Sequence, residues 1–344
     1  MKSKSLSFTI VIAAWNAEKT IKTAIDSITN QLIETYEVIV VDDCSLDKTF
    51  EVVCQLAEKN QNIKILKNKK NLGPSESRNI GLKMAGGDYV GFLDADDFYS
   101  EKLFMAVTAE IWKNKSDVIK FGVREIYQDS RREVSSSAFF SNRPNEITEK
   151  AIELERLPLF GYAANSFYKT EILRKNKIFF DKNLRFAEDF FFNYSVFQKI
   201  SSFSFIDLVA YNYNRVCTTS LSYQKIKNYG PLYQKKIVLL CSWANSRHCL
   251  SKSGKTLSMI LVRSLYSSAI RKMKDKKYKE ALQAIRQFFE LREFTILQPF
   301  FKGETLSHRI AFLPLKLHSP LITCFFSYIL SCLFSLYPNL SKRI

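Results

Sequence analysis

The chain has 344 residues, 46% of them hydrophobic and 14% aromatic, with only 10 Gly and 8 Pro. That composition excludes a disordered or collagen-like chain and leaves room for two domains or one large one. The net charge of +17 is uneven: residues 216–344 hold 21 Lys/Arg against five Asp/Glu, and the first 215 residues hold 30 against 29, so an anionic partner is expected at the C-terminal third.

In chain order, Phe8–Ala14 is a near-continuous apolar run, the pattern of a parallel strand covered on both faces. Ser7–Ala14 is too short for a signal peptide. After the Trp15-Asn16 turn, Ile21, Ile25, Ile28 and Leu32 recur at helical spacing. Glu37–Val41 is a second strand and ends in Asp42-Asp43-Cys44-Ser45. A helix carrying Phe50, Val53 and Ala57 on one face follows, and then a third strand, Ile63–Leu66. This βαβαβ order predicts a doubly wound α/β domain. The first turn lacks G-x-G-x-x-G, which argues against a dinucleotide fingerprint. Carboxylates ending the second strand suit a ribose or base, and a helix N-cap box led by Ser45 is the plainer reading.

Asn71-Leu72-Gly73-Pro74 is a turn, and Pro74 opens a helix to about Ala85 that holds Arg78, with Gly81 allowing close packing. Arg78 is either a bidentate donor to a diphosphate or a surface arginine. Tyr89–Leu93 reads as a short buried strand, followed at once by Asp94, Asp96 and Asp97. Clustered carboxylates repel one another, and Mg²⁺ or Mn²⁺ held jointly with substrate phosphates would relieve that repulsion. An acidic turn capping the next helix is the alternative.

In this order, A-A-W-N (13–16), V-D-D-C-S (41–45), N-L-G-P-S-E-S-R-N-I-G (71–81) and G-D-Y-V-G-F-L-D-A-D-D (87–97) resemble the family 2 glycosyltransferases of GT-A fold. The resemblance covers about the first 100 residues and is specific as a set. It implies Asp96 as a metal ligand, Asp94 as the ribose or metal partner, and Asp43 as the base-contacting aspartate. Ala13, Asn16, Glu18 and Arg78 complete the implied nucleotide-sugar site. Ala13 departs from the Pro or Thr usual in the family, at a contact made largely through backbone.

Further on, Leu103–Trp112 reads as a helix and Asp117–Phe121 as a strand. Residues 128–147 are polar and read as a loop on the acceptor side. Asn165–Lys169 leads into a helix, and Phe186-Ala187-Glu188-Asp189-Phe190-Phe191-Phe192 sets a carboxylate pair among aromatics. Partial desolvation there raises a pKa towards general-base values, whereas Glu-Asp before an apolar run is also an ordinary helix start. The family carries a Glu-Asp pair here, which implies Asp189 as the base that deprotonates the acceptor hydroxyl, with Glu188 next in line. Val209–Arg215, followed by Ser220, resembles the strand that ends the catalytic domain.

Residues 225–300 have helical periodicity, with a basic run Arg271–Lys279 between helices and no recognisable nucleic-acid module. Leu321–Tyr337 is uncharged and aromatic-rich, flanked by Lys316 and Lys342-Arg343. It sits at the short limit for a span, so an interfacial or re-entrant helix and a buried helix compete with one.

Seven cysteines (44, 54, 217, 241, 249, 324, 332) form no C-x-x-C or paired framework, as expected in a reducing compartment. His248, His308 and His318 lack ligand spacing, which argues against a His-based zinc site.

The expectation is an α/β, GT-A (Rossmann-like) catalytic domain over about residues 1–220 and a basic helical tail over 221–344. Its implied activity is Mg²⁺- or Mn²⁺-dependent, inverting transfer of a sugar from a nucleotide-diphosphate sugar to a glycan or lipid-linked glycan, in cell-surface polysaccharide synthesis. The implied location is the cytoplasm, peripheral at the inner face of the cell membrane, on an anionic surface. A sugar-phosphate nucleotidyltransferase and a non-catalytic membrane adaptor derived from a transferase are the competing classes. The first would carry a Gly-rich, Arg/Lys-bearing loop where this chain has Trp15-Asn16-Ala17-Glu18. The complete set of acidic motifs argues against the second.

Overall fold

The computed structural model describes residues 5–31, 35–184, 186–216, 229–302 and 305–336. Leu32, Cys217, Ser220, Tyr337, Lys342 and Arg343 lie outside them. The described residues fall into two compact units, one within Met1–Ile147 and Leu157–Gln224, the other within Thr148–Arg156 and Lys225–Ile344.

The first unit is built on one mixed sheet. Strand β1 (Ser7–Ala14) lies parallel between β2 (Thr35–Asp42) and β4 (Tyr89–Asp94), and β3 (Ile63–Lys67) lies parallel outside β2. Ile10, Val11 and Ile12 of β1 have no solvent exposure, as a strand covered on both faces requires. Helix α1 (Ile21–Thr29) buries Ile21, Ala24, Ile25 and Ile28, and α2 (Thr49–Lys59) buries Val53. Helix α3 (Pro74–Met84) lies close on β1, because a Cβ at Gly81 would stand 2.3 Å from Val11 Cγ1.

Beyond β4 the sheet changes direction. Strand β9 (Ser166–Lys169) inserts antiparallel between β4 and β6 (Val118–Ile126), and β10 (Phe203–Asn214) then runs parallel to β6. The short β5 (Phe98–Tyr99) pairs antiparallel with β10, α4 (Leu103–Asn114) links it to β6, and α6 (Thr170–Lys175) and α7 (Glu188–Phe197) follow β9. Residues 128–147, expected to be a loop, instead contain β7 (Arg131–Val134) on β6, β8 (Phe139–Ser141) on β10 and the start of α5 (Pro144–Arg156). The charged, short β7 has no strand periodicity of its own, and its pairing with β6 supplies the order. An aromatic core lies under the sheet: Phe180 and Phe192 stack at 4.0 Å, and both pack edge-on against Phe92.

The second unit is helical. It takes α5 from Thr148, α8 (Gly230–Ser246), α9 (Leu250–Lys274), α10 (Tyr278–Phe289), α11 (Arg292–Leu297), α12 (Leu306–Lys316) and α13 (Pro320–Leu336). Buried Glu155 of α5 pairs with Lys236 and Arg263, and Arg263 also caps the helix end by donating to the carbonyls of Glu155 and Arg156. Among the described residues no helix is long and apolar enough to cross a membrane.

Candidate active site

The site forms where β1, β2 and β4 end together. Strand register sets Ala13 of β1 beside Asp94 of β4 and Ala14 beside Asp42 of β2. The neighbours of β1 reach it by connections of opposite sense, so a crevice opens at the carboxyl ends of the strands, where α/β sheets bind nucleotides. Asn16 and Glu18 fasten the loop after β1 to the loop after β2. The Asn16 side chain accepts from the Leu46 amide (2.9 Å), its own amide donates to Ser45 Oγ (2.9 Å), and Glu18 accepts from the Lys48 amide (3.0 Å).

Asp43 is buried at the root of this arrangement. Its carboxylate accepts from Asn68 Nδ2 (2.7 Å) and from the amides of Leu72 (2.8 Å) and Gly73 (2.7 Å). Those bonds hold the turn that starts α3, with Gly73 at φ 86° and Pro74 at the first helical position. One turn later along α3 comes Arg78. It is buried, at 6% exposure, which excludes the surface-arginine reading.

Arg78 joins residues far apart in sequence. Nη2 donates to Asp94 Oδ1 at 2.5 Å, and Nη1 lies 3.4 Å from Asp189 Oδ1 and 3.6 Å from Glu188 Oε1. Its guanidinium also lies over the Phe180 ring, 5.3 Å from the centroid. The donor-side carboxylate and the pair expected to hold the base thus share one buried cation. Asp189 and Glu188 open α7, preceded by Ala187 in the left-handed conformation at φ 60°, an unfavourable geometry that aims both carboxylates. Asp189 Oδ2 accepts from the Ala163 amide at 3.0 Å. Burial pushes the Asp189 carboxyl up to about 7; Arg78 pulls it down, and Glu188 and Asp94 push it further up.

The three carboxylates after β4 separate into different roles. Asp97 is buried, accepting from Tyr211 Oη and from the Asn214 amide (2.7 Å), so it ties the end of β4 to the end of β10. Burial, with Asp94 and Asp96 nearby, raises its pKa well above the ordinary range. Asp96 is half-buried, and among the described residues no other residue donates a hydrogen bond to its carboxylate. Burial pushes it up to about 6, and Asp94 adds to that. A hard oxygen donor beside Asp94, its charge offset only in part by its own backbone amide and by Arg78, fits Mg²⁺ or Mn²⁺. Among the described residues no cluster of three or more His, Cys, Asp or Glu could hold a metal alone; Asp94 and Asp96 would hold one together with substrate phosphates.

The sequence pattern of glycosyl transferase family 2 matches residues 9–176. The uncharacterized glycosyltransferase EpsJ of Bacillus subtilis (strain 168) is 30% identical over 235 residues, covering 66% of this chain and 68% of that protein. The chain belongs to glycosyl transferase family 2. The Staphylococcus aureus poly(ribitol-phosphate) β-N-acetylglucosaminyltransferase TarS is 30% identical over 211 residues, which cover 60% of this chain but only 35% of TarS. In three dimensions the crystal structure of S. aureus TarS 1-349 in complex with UDP-GlcNAc superposes with a TM-score of 0.70 at 21% identity, covering 94% of this chain and 89% of that one. The fold is therefore GT-A, and membership of this family removes the nucleotidyltransferase alternative.

Two buried polar residues to which the sequence assigns no role, Asn79 and Lys120, brace the site. Asn79, beside Arg78, exchanges hydrogen bonds with the Phe180 backbone (2.9 and 2.8 Å) and so fixes the ring beneath the arginine. Lys120 is buried and donates to the Tyr162 carbonyl (2.8 Å) and Ser166 Oγ (2.6 Å), bracing the segment that carries the Ala163 amide. Its signal in the sequence is a lysine inside the apolar run 118–123.

Proposed function

We propose that this family 2 enzyme transfers a sugar from a nucleotide-diphosphate sugar to a hydroxyl of a glycan or lipid-linked glycan in cell-surface polysaccharide synthesis, with inversion at the anomeric carbon. The observation that carries this reading is Arg78, which links Asp94 at the donor crevice to Asp189 at the head of α7. Asp189, held by the Ala163 amide and lifted by burial to about 7, takes the acceptor proton near neutral pH. The acceptor oxygen bonds to the anomeric carbon as the carbon–oxygen bond to the diphosphate breaks, and a nucleoside diphosphate leaves. Asp94 and Asp96 would hold Mg²⁺ or Mn²⁺, which when bound supplies Lewis-acid neutralisation of the leaving diphosphate. Ala13, Asn16, Glu18 and Asp43 shape the donor crevice at the strand ends, Asp43 on the side of the base.

A surface-polymer acceptor is supported by TarS and by the poly(ribitol-phosphate) β-glucosyltransferase of Bacillus spizizenii, 29% identical over 203 residues. We further read the enzyme as cytoplasmic and peripheral to an anionic membrane that carries its acceptor. The test is a panel of UDP-, GDP- and dTDP-sugars with Mg²⁺ or Mn²⁺, led by UDP-GlcNAc, the ligand in the TarS complex. Release of nucleoside diphosphate from one donor and its transfer to a hydroxyl acceptor are expected; no turnover across the panel refutes the reading.

A further inference from the structure

Helix α13 is amphipathic in the reverse sense. Thr323, Ser327 and Ser331, spaced four residues apart, are the buried stripe, and the large apolar side chains face out. Leu321 is 64% and Phe325 65% exposed, with Ile322 and Ile329 beside them. Helix α12, packed against α13, exposes Leu313 at 59%, and Leu317 just after it is 58% exposed. Small hydroxyl side chains let α13 lie close on its neighbours, the hydroxyls of Thr323 and Ser327 satisfied by carbonyls one turn back. That packing leaves these six apolar side chains 39–65% exposed, where singly scattered apolar residues would be the ordinary case.

The second observation is where the cations sit. The end of α9, the turn after it and the start of α10 carry exposed Arg271, Lys274, Lys276, Lys277 and Lys279 against two exposed acids, Asp275 and Glu280, the latter paired with Lys272 and Lys277. Tyr278 meets Tyr328 of α13 with ring centroids 6.0 Å apart. Phe326 likewise meets Tyr266 of α9 at 5.8 Å. Folding therefore brings the basic run to the edge of the apolar face, although about 45 residues separate them in sequence. Exposed Lys316 ends α12, and α12 and α13 carry no acidic residue.

We propose that the outward face of α12 and α13 inserts, shallow and parallel to the surface, into the headgroup–acyl boundary of an anionic bilayer, with the lysines of the α9–α10 turn on its phosphate layer. The inference rests on the peripheral-membrane reading and names the surface responsible. An uncharged helix of this kind with flanking cations lies in the interface, and each nearby Lys or Arg strengthens attachment about fivefold, the equivalent of about 1 kcal/mol.

Co-sedimentation of the full-length protein with phosphatidylglycerol/phosphatidylcholine vesicles tests this. Binding is expected to weaken but persist in high salt. The double substitution L321E/F325E, at exposed positions, is expected to weaken it about 100-fold or more at any salt. K276Q/K279Q is expected to weaken it about 25-fold at low salt and little at high salt. Donor hydrolysis and thermal melting of each variant should match wild type, which excludes misfolding. Vesicle binding unaffected by L321E/F325E overturns the proposal. So does a wild-type dimer that L321E/F325E converts to monomer without any vesicle binding, since the face then covers a second copy. Vesicle binding as expected without turnover of any donor would remove the transferase reading and leave this surface standing.

Discussion

Asp189→Asn separates catalysis from stability at one atom. The Asp189 carboxyl has its pKa raised by burial from 3.8 to about 7. At about 1.4 kcal/mol for each tenfold change in proton affinity, keeping it ionised at pH 8 costs the fold about 4 kcal/mol relative to an ordinary carboxylate. Because the folded value lies above the unfolded one, the stabilising effect of the bound proton is complete below about pH 4 and is lost as the pH rises through 7. The Asn side chain carries no charge to desolvate but weakens the bonds to the Ala163 amide and Arg78, at about 1–2 kcal/mol. The variant should therefore be about 2 kcal/mol more stable than wild type at pH 8, a Tm gain of about 4–8 °C. At pH 5, where wild-type Asp189 is already protonated, that gain should vanish. Turnover should fall about 10²-fold or more, while donor binding stays nearly intact. Wild-type kcat should show an acid limb near pH 7. Melting curves from pH 5 to 8, with nucleoside diphosphate release as the activity assay, check both halves. Equal Tm values at every pH, together with a wild-type acid limb below about pH 5, would falsify the argument that burial tunes this carboxylate. If Glu188→Gln alone abolishes turnover, the base is the neighbouring residue.

Asp96→Ala should remove metal-stimulated turnover and weaken donor binding while the fold survives; full turnover by this variant, or by wild type in excess chelator, sinks the metal role. Tyr211→Phe removes the hydroxyl donated to buried Asp97 and should destabilise the first unit by about 1–3 kcal/mol in urea unfolding. An unchanged midpoint would mean that Asp97 does not depend on that bond. Gly81→Ala drives a methyl into Val11, which α3 and β1 can relieve only by moving apart. A loss of about 1–3 kcal/mol is expected, with reduced kcat because Arg78 rides on the same helix, and a variant with native stability and native kcat would contradict that coupling.

Much of the site is legible in the sequence because its chemistry is written in short segments. An apolar run that ends abruptly in acids marks a strand end, and that local pattern marks Asp42, Asp43, Asp94, Asp96 and Asp97 together; the family resemblance, not the pattern, chooses Asp43, Asp94 and Asp96 among them. Gly73-Pro74 marks a helix start for a local conformational reason. Glu188-Asp189 stands out as a pair, but sequence alone does not separate a catalytic base from a helix start.

Only tertiary structure decided how these segments meet. Arg78 became the shared partner of Asp94 and Asp189 because α3 packs on β1 while Asp189, at the start of α7, lies 111 residues further along the chain. Nothing local in R-N-I-G specifies that encounter. Asp97, one residue beyond the ligand candidate Asp96, became a tether because Tyr211 arrives from a strand 114 residues later. The antiparallel insertion of β9 between β4 and β6 depends on backbone pairing, which leaves little trace in side-chain periodicity. The same holds for α13: its sequence is apolar nearly all round, and packing chose the Thr323–Ser327–Ser331 stripe as the inner face and left the large apolar side chains outside. Local pattern fixes what a segment is, because it depends on neighbours three or four residues away. Which of its faces is buried, and beside what, depends on contacts over more than a hundred residues, and that is settled only when the chain closes.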